Sequence, residues 1–215
     1  METGKIEIKT LVAAMAVVLA LEAAVNAAVY IMAAPRLLVA GAARLAAIGL
    51  IPLVVSIWDQ GLSSLGLGRG QLRPGLKKGL FWSVGFGVAA ACGFAVMFAA
   101  GLDPLALVRM SLPKRALDLA LFFIVGGLAA PVAEEMFFRG VVYGFLRRWG
   151  VAPALILSTL FFALPHLLGP ALPLNQVIGG IIFALAYELT GSLMVPITIH
   201  ALGNLAIFSL AVVFQ

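Results

Sequence analysis

Long apolar stretches separated by short polar, proline or glycine-rich gaps dominate the pattern of this chain. Apart from the central charged region, these stretches cover residues 10–33, 37–57, 79–101, 151–168, 174–190 and 193–214. A helix needs about 20 residues to cross a bilayer, and most of these stretches approach or exceed that length. The pattern therefore predicts a bundle of membrane-spanning helices.

The central stretch, residues 116–148, is apolar apart from a few charges and is too long for one crossing. As a single helix it would extend about 50 Å, against a hydrocarbon core of about 30 Å. Pro131 lacks a backbone donor, so we expect a kink or a break there and divide the stretch into helices over 116–132 and 134–148. The prediction is an all-α polytopic membrane protein with about eight helical elements, seven to eight of them transmembrane, in a single domain over 1–215.

The connecting segments suggest an orientation and a mode of helix contact. Residues 59–78 are rich in glycine and basic residues and predict a basic cytoplasmic loop, which places the N-terminus in the cytoplasm by the positive-inside rule. In the next helix, Gly85, Gly87 and Gly93 predict a face that allows close approach of a neighbouring helix.

Composition supports the membrane assignment. The chain is 63% hydrophobic and 11% charged, whereas soluble domains carry about 25% charged residues. Its formal net charge is +5, but the basic residues lie mostly between apolar stretches. The expected partner is therefore the lipid bilayer and not nucleic acid. The single cysteine, Cys92, excludes an internal disulfide.

Away from its ends, the central apolar stretch contains three charges: Glu134, Glu135 and Arg139. A charge near the bilayer centre costs at least about 2.5–3.5 kcal/mol, so three together indicate a functional site. Arg139 lies four residues after Glu135 on the same helical face and is its natural partner. Glu134 points about 100° away and is left freer, as a general base would need to be.

Two later stretches carry polar groups at helical spacing. Phe162 and His166 are four residues apart, as are His200 and Asn204, so each pair shares a helical face. Counting residues from the predicted turns places Glu134, His166 and His200 within about 3 Å in depth. His166 could then share a water molecule with Glu134, and His200 with Asn204 could donate hydrogen bonds to an oxyanion. Together these groups suit amide hydrolysis without a covalent nucleophile.

Two further charges lie in the first two apolar stretches. Glu22 and Arg44 differ in depth by about 6 Å when counted from the turn at Pro35. We expect them to form an ion pair with a structural role only. Glu188 is expected to pair with the basic residues at 147 and 148.

The three motifs, Glu134-Glu135-x-x-x-Arg139, Phe162-x-x-x-His166 and His200-x-x-x-Asn204, occur in order and with full identity. In this respect the chain resembles the CPBP family, which includes type II CAAX prenyl endopeptidases and bacterial Abi proteins. The resemblance covers about 115–215. It implies an eight-helix intramembrane protease in which Glu134 and His166 activate water and His200 with Asn204 forms the oxyanion hole. The substrate would be a membrane-associated protein or peptide.

The sequence leaves several alternatives open. A metal-free mechanism is favoured, but Glu134, His166 and His200 could hold Zn²⁺. A transporter or proton relay would also use buried Glu, Arg and His, and an immunity scaffold would bind without cleaving. The short chain without large loops resembles prokaryotic members, which suggests the inner membrane of a prokaryote.

Overall fold

The computed structural model describes residues 6–59, 61–168 and 173–214, and this described part contains seven main helices and no strand. These helices are α1 (Ile8–Tyr30), α2 (Arg36–Trp58), α3 (Arg69–Ala99), α4 (Ala116–Trp149), α5 (Val151–Ala163), α6 (Leu174–Thr190) and α7 (Met194–Val213). Short 3₁₀ turns lie over Gly61–Ser63, Pro104–Leu107 and Leu164–Leu168, the last extending α5.

Five of the helices, α1 to α4 and α7, are long and apolar enough to cross a membrane. The helices α5 and α6 are apolar but shorter. Large apolar side chains face outward, with Phe81 81% and Leu189 70% exposed, as lipid-facing positions require. The prediction of an all-α polytopic membrane protein is confirmed, with seven main helices in the described residues where about eight were expected.

The predicted break at Pro131 is wrong, because α4 continues through it from Ala116 to Trp149. Two wider π-helical segments, Val125–Ala129 and Met136–Tyr143, lie on either side of the proline. In the first segment the Ala130 N–H donates to the Val125 carbonyl, five residues back. Proline is tolerated in membrane helices when local widening and neighbouring side chains satisfy the freed carbonyl groups.

The predicted loop over 59–78 is also partly wrong, since α3 begins at Arg69 and includes the proline at position 74. Its contact with α7 does not use Gly85, Gly87 or Gly93, around which the described residues leave open space. A Cβ at Gly79 would instead lie 2.6 Å from Thr198 Cβ, and Gly75 is similarly tight against Ser192 and Met194. The glycines that allow close approach are therefore at the start of α3.

At one end of the bundle, hydrogen bonds link the ends of several helices and the segments that connect them. Thr10 Oγ1 at the start of α1 donates to Asp59 Oδ2 after α2, at 2.6 Å. The Leu193 N–H before α7 donates to the Gly66 carbonyl at 3.2 Å. Arg148 at the end of α4 donates to the Ile6 carbonyl. The starts of α1 and α7 and the ends of α2 and α4 therefore lie on the same side of the bundle.

An ion pair fixes α4 against α6 near the same end. Arg147 donates to both carboxylate oxygens of Glu188, from Nε and Nη2, each at 2.9 Å. Tyr143 adds a third hydrogen bond, at 2.8 Å. The expected pairing of Glu188 is confirmed for Arg147, whereas Arg148 binds backbone carbonyls of Phe145 and Ile6.

Candidate active site

Glu135 is the buried centre of the charged cluster, with no exposed surface. Its Oε1 accepts a hydrogen bond from Arg139 Nη1 at 2.9 Å, one turn along α4. The same oxygen lies 2.8 Å from His200 Nδ1 on α7. The predicted pairing of Glu135 with Arg139 is confirmed, and the carboxylate also ties α7 to α4.

Arg139 is equally buried, and its guanidinium is held on several sides. Nη2 donates to the Gly180 carbonyl of α6 at 3.1 Å. The guanidinium carbon lies 4.4 Å from the ring centre of Phe162 and 5.2 Å from that of Phe183. Such cation–π contacts stabilise a desolvated arginine by about 2 kcal/mol. Arg139 thus joins α4, α5 and α6 around one buried charge.

Phe162 connects the three motifs physically. Its ring centre lies 5.7 Å from that of His166 and 5.6 Å from that of His200. Phe183 closes the other side by stacking on His200, with centres 4.6 Å apart and planes inclined by 20°. Sequence reasoning missed Phe183, because a phenylalanine in an apolar helix carries no distinguishing signal.

Glu134 differs from its neighbour in being accessible. Its side chain is 22% exposed, and it lines a cavity of about 420 Å³ between α1, α2, α4 and α5. Its Oε2 lies 3.9 Å from His200 Nε2, too far for a direct hydrogen bond. The expectation that Glu134 would be freer than Glu135 agrees with this geometry.

His166 lines the same cavity as Glu134, in the 3₁₀ turn that ends α5. Its Nδ1 lies 3.1 Å from the Phe162 carbonyl, an oxygen that can only accept, so Nδ1 carries the hydrogen. In the neutral ring, Nε2 is then the acceptor. Glu134 and His166 therefore both offer hydrogen-bond acceptors to a water molecule in the cavity.

The tautomer of His200 follows from its partner in the same way. Nδ1 donates to the Glu135 carboxylate, which leaves Nε2 directed toward Glu134. Nε2 can donate to an oxyanion only when the ring carries a second proton.

Asn204, one turn after His200, makes a hydrogen bond that stabilises α4. Its Nδ2 donates to the Gly126 carbonyl of α4 at 2.9 Å. In the widened register of this segment, Gly126 is the carbonyl that Pro131 would bind if it had an N–H. One of the two amide hydrogens of Asn204 remains for another acceptor.

The donor set for zinc is not assembled. Among the described residues, no three His, Cys, Asp or Glu side chains are placed to hold a metal ion together. The residues that the sequence suggested for Zn²⁺ therefore do not fit that group in this arrangement.

Glu22 and Arg44 form the ion pair expected from the sequence. Their location was not foreseen, because both also line the cavity that holds Glu134 and His166. Residue counting along α1 and α2 gave their depth but not their direction. The cavity thus has two polar regions in an otherwise apolar wall.

Comparison with known families agrees with the motifs. Residues 116–206 match the family model described as type II CAAX prenyl endopeptidase Rce1-like. The match covers less than half of the chain, and over this range the protein is similar to the Rce1-like family. The match confirms the resemblance to CPBP proteins and covers all three Rce1-like motifs, while α1 to α3 lie outside it. No curated protein and no solved structure matches the chain.

Similarity to the Rce1-like family indicates an integral membrane protein with intramembrane protease activity on peptide substrates. The long apolar helices agree with this assignment.

Proposed function

We propose that this protein is an intramembrane endopeptidase that hydrolyses a peptide bond of a membrane-associated protein or peptide, with Glu134 as the general base. The observation that carries the proposal is that the two adjacent carboxylates lie in different environments. Glu135 is buried and hydrogen-bonded to Arg139 and His200, whereas Glu134 faces a cavity that is also lined by His166.

The reaction begins with a water molecule held by Glu134 and His166 Nε2. Glu134 takes a proton from this water as its oxygen attacks the carbonyl carbon of the scissile amide. The resulting tetrahedral oxyanion needs preorganised donors. His200 in its protonated form supplies one from Nε2, and Asn204 supplies its remaining amide N–H.

Collapse of the tetrahedral intermediate breaks the carbon–nitrogen bond. The protonated Glu134 returns its proton to the leaving nitrogen, which departs as an amine. Throughout, Glu135 accepts hydrogen bonds from both His200 and Arg139, so the two cations share one fixed counter-ion. Phe162 and Phe183 exclude water from this charge cluster.

The protein belongs, in this proposal, to the inner membrane of a prokaryote with its N-terminus in the cytoplasm. Basic residues outside the active site are more numerous on the side of the bundle where α1 begins than on the opposite side. On the N-terminal side they are Lys9, Arg69, Arg73, Lys77, Lys78, Arg147 and Arg148. This excess is the pattern that the positive-inside rule associates with the cytoplasm.

The test compares Glu134→Gln with Asp118→Asn, which makes the same change of charge at the start of the same helix. Proteomics of membrane and exported proteins from cells carrying wild type or each variant would identify peptides that depend on Glu134. We expect Glu134→Gln to abolish cleavage while the purified variant unfolds at the wild-type temperature, and Asp118→Asn to retain cleavage. Normal cleavage by Glu134→Gln would refute the assignment.

A further inference from the structure

The cavity beside Glu134 contains a second charged feature that the hydrolytic mechanism does not use. Glu22 on α1 and Arg44 on α2 line its wall, and their side chains are 43% and 27% exposed. Apolar residues such as Met15, Ile51 and Phe161 form most of the remaining surface. A charged pair is costly within apolar helices and is rare there without a function.

The geometry of this pair differs from that of a saturated structural pair. Arg147 uses Nε and Nη2 to contact both oxygens of Glu188, and Tyr143 completes the cluster. Arg44 contacts one oxygen of Glu22 through Nη1 alone. Within the described residues, Nε and Nη2 of Arg44 have no hydrogen-bond acceptor, so one edge of its guanidinium can donate to a bound group.

We propose that Arg44 binds a carboxylate of the peptide substrate, with Glu22 holding the guanidinium in place. The planar edge of an arginine matches a carboxylate and forms two parallel charge-assisted hydrogen bonds. The carboxylate is either the C-terminal group of the peptide or an Asp or Glu side chain. The inference rests on the proposed function, because it takes the cavity to be the substrate site.

This arrangement sets which peptide bond is cut. Arg44 and Glu134 lie on the walls of one cavity, on α2 and α4. A carboxylate held at Arg44 therefore fixes how much of the peptide lies between it and the water at Glu134. The apolar wall between the two charges accepts the apolar side chains of that intervening segment.

The binding test uses three fluorescently labelled peptides with one short apolar sequence. The first ends in a free carboxylate, the second in an amide, and the third in an amide with one internal glutamate. Each is titrated against Glu134→Gln protein in nanodiscs, so the result does not depend on hydrolysis. We expect one of the two acidic peptides to bind at least about tenfold more tightly than the neutral one. Which one does so identifies the source of the carboxylate.

Two further proteins, both in the Glu134→Gln background, separate recognition from a structural role. Arg44→Gln removes the guanidinium, and we expect it to abolish the preference for the acidic peptide. The double exchange Glu22→Arg with Arg44→Glu retains an ion pair between α1 and α2 but moves the cation to α1. We expect the exchange to restore the thermal stability lost in Arg44→Gln without restoring the wild-type preference.

The proposal is overturned if the three peptides bind equally or fail to bind, or if the double exchange recovers the original preference. Failure of the general-base assignment would appear separately, as cleavage of the labelled peptides by Glu134→Gln, which mass spectrometry of the titrated samples detects.

Discussion

Asn204 on α7 donates to the carbonyl oxygen of Gly126 on α4, the group that Pro131 leaves without a backbone donor in the widened helix. A carbonyl without a partner is costly inside a membrane, where no water replaces the missing bond. One asparagine therefore supports the helix that carries the charged motif, while its second amide hydrogen remains available.

We predict that Asn204→Leu lowers the free energy of unfolding by about 1–3 kcal/mol, the cost of an unsatisfied buried acceptor. Pro131→Ala supplies a backbone N–H to this segment, so the same Asn204→Leu change should cost less in that background. Thermal unfolding of the four proteins in detergent micelles measures the difference. Equal losses in both backgrounds would contradict the link between the two residues.

The buried pair of Glu135 and Arg139 should be strongly coupled. Removing one partner leaves a buried charge, so Glu135→Leu and Arg139→Met should each destabilise the protein by about 3–5 kcal/mol. The double variant should lose clearly less than the sum, as a double-mutant cycle would measure. Arg115→Met, which breaks an exposed pair with Asp118, serves as the control and should change stability by about 1 kcal/mol or less. Additive losses at 135 and 139 would refute the coupling.

Helix contact through α3 gives a prediction with a matched control. Gly79→Ala places a methyl group against Thr198 and should cost about 1–3 kcal/mol through overpacking. Gly85→Ala, two turns later on the same helix, meets no described atom within 4 Å and should be neutral or slightly stabilising. Unfolding temperatures of the two variants measure this contrast. A similar loss in both would place the contact elsewhere.

The proposed mechanism uses no metal, and chelation provides a direct measurement. We expect peptide cleavage to survive prolonged treatment of the purified protein with a metal chelator. His166→Ala should abolish cleavage without changing the metal content found by elemental analysis. Stoichiometric zinc that disappears in His166→Ala would favour the metal-dependent alternative instead.

The sequence was most informative where the determinants are local. The spacing of Glu135 and Arg139 predicts their contact, because residues four apart meet on any helix. The pairs at Phe162 with His166 and at His200 with Asn204 likewise lie on shared helical faces. The family resemblance indicated that the three helices carrying these pairs contact one another.

The errors came from features that depend on tertiary partners. The sequence predicts an interruption at Pro131 because the missing N–H is a local property. The donor that compensates for it, Asn204, lies far along the chain. The prediction of a helix contact at Gly85, Gly87 and Gly93 is wrong, because composition does not reveal which face of a helix packs against its neighbour. Basic residues from Arg69 onward suggested a loop, although a helix can carry such charges where it extends beyond the apolar layer.

The hydrogen bond from Arg148 to the Ile6 carbonyl spans 142 residues of sequence. During synthesis, the first helix therefore emerges long before the residue that fixes its beginning. It can enter the membrane at once, but it can reach its final position only after α4 has been inserted. Since α1 also contributes to the wall of the substrate cavity, the cavity is completed late in assembly, after the membrane already holds the helix that bears Glu134.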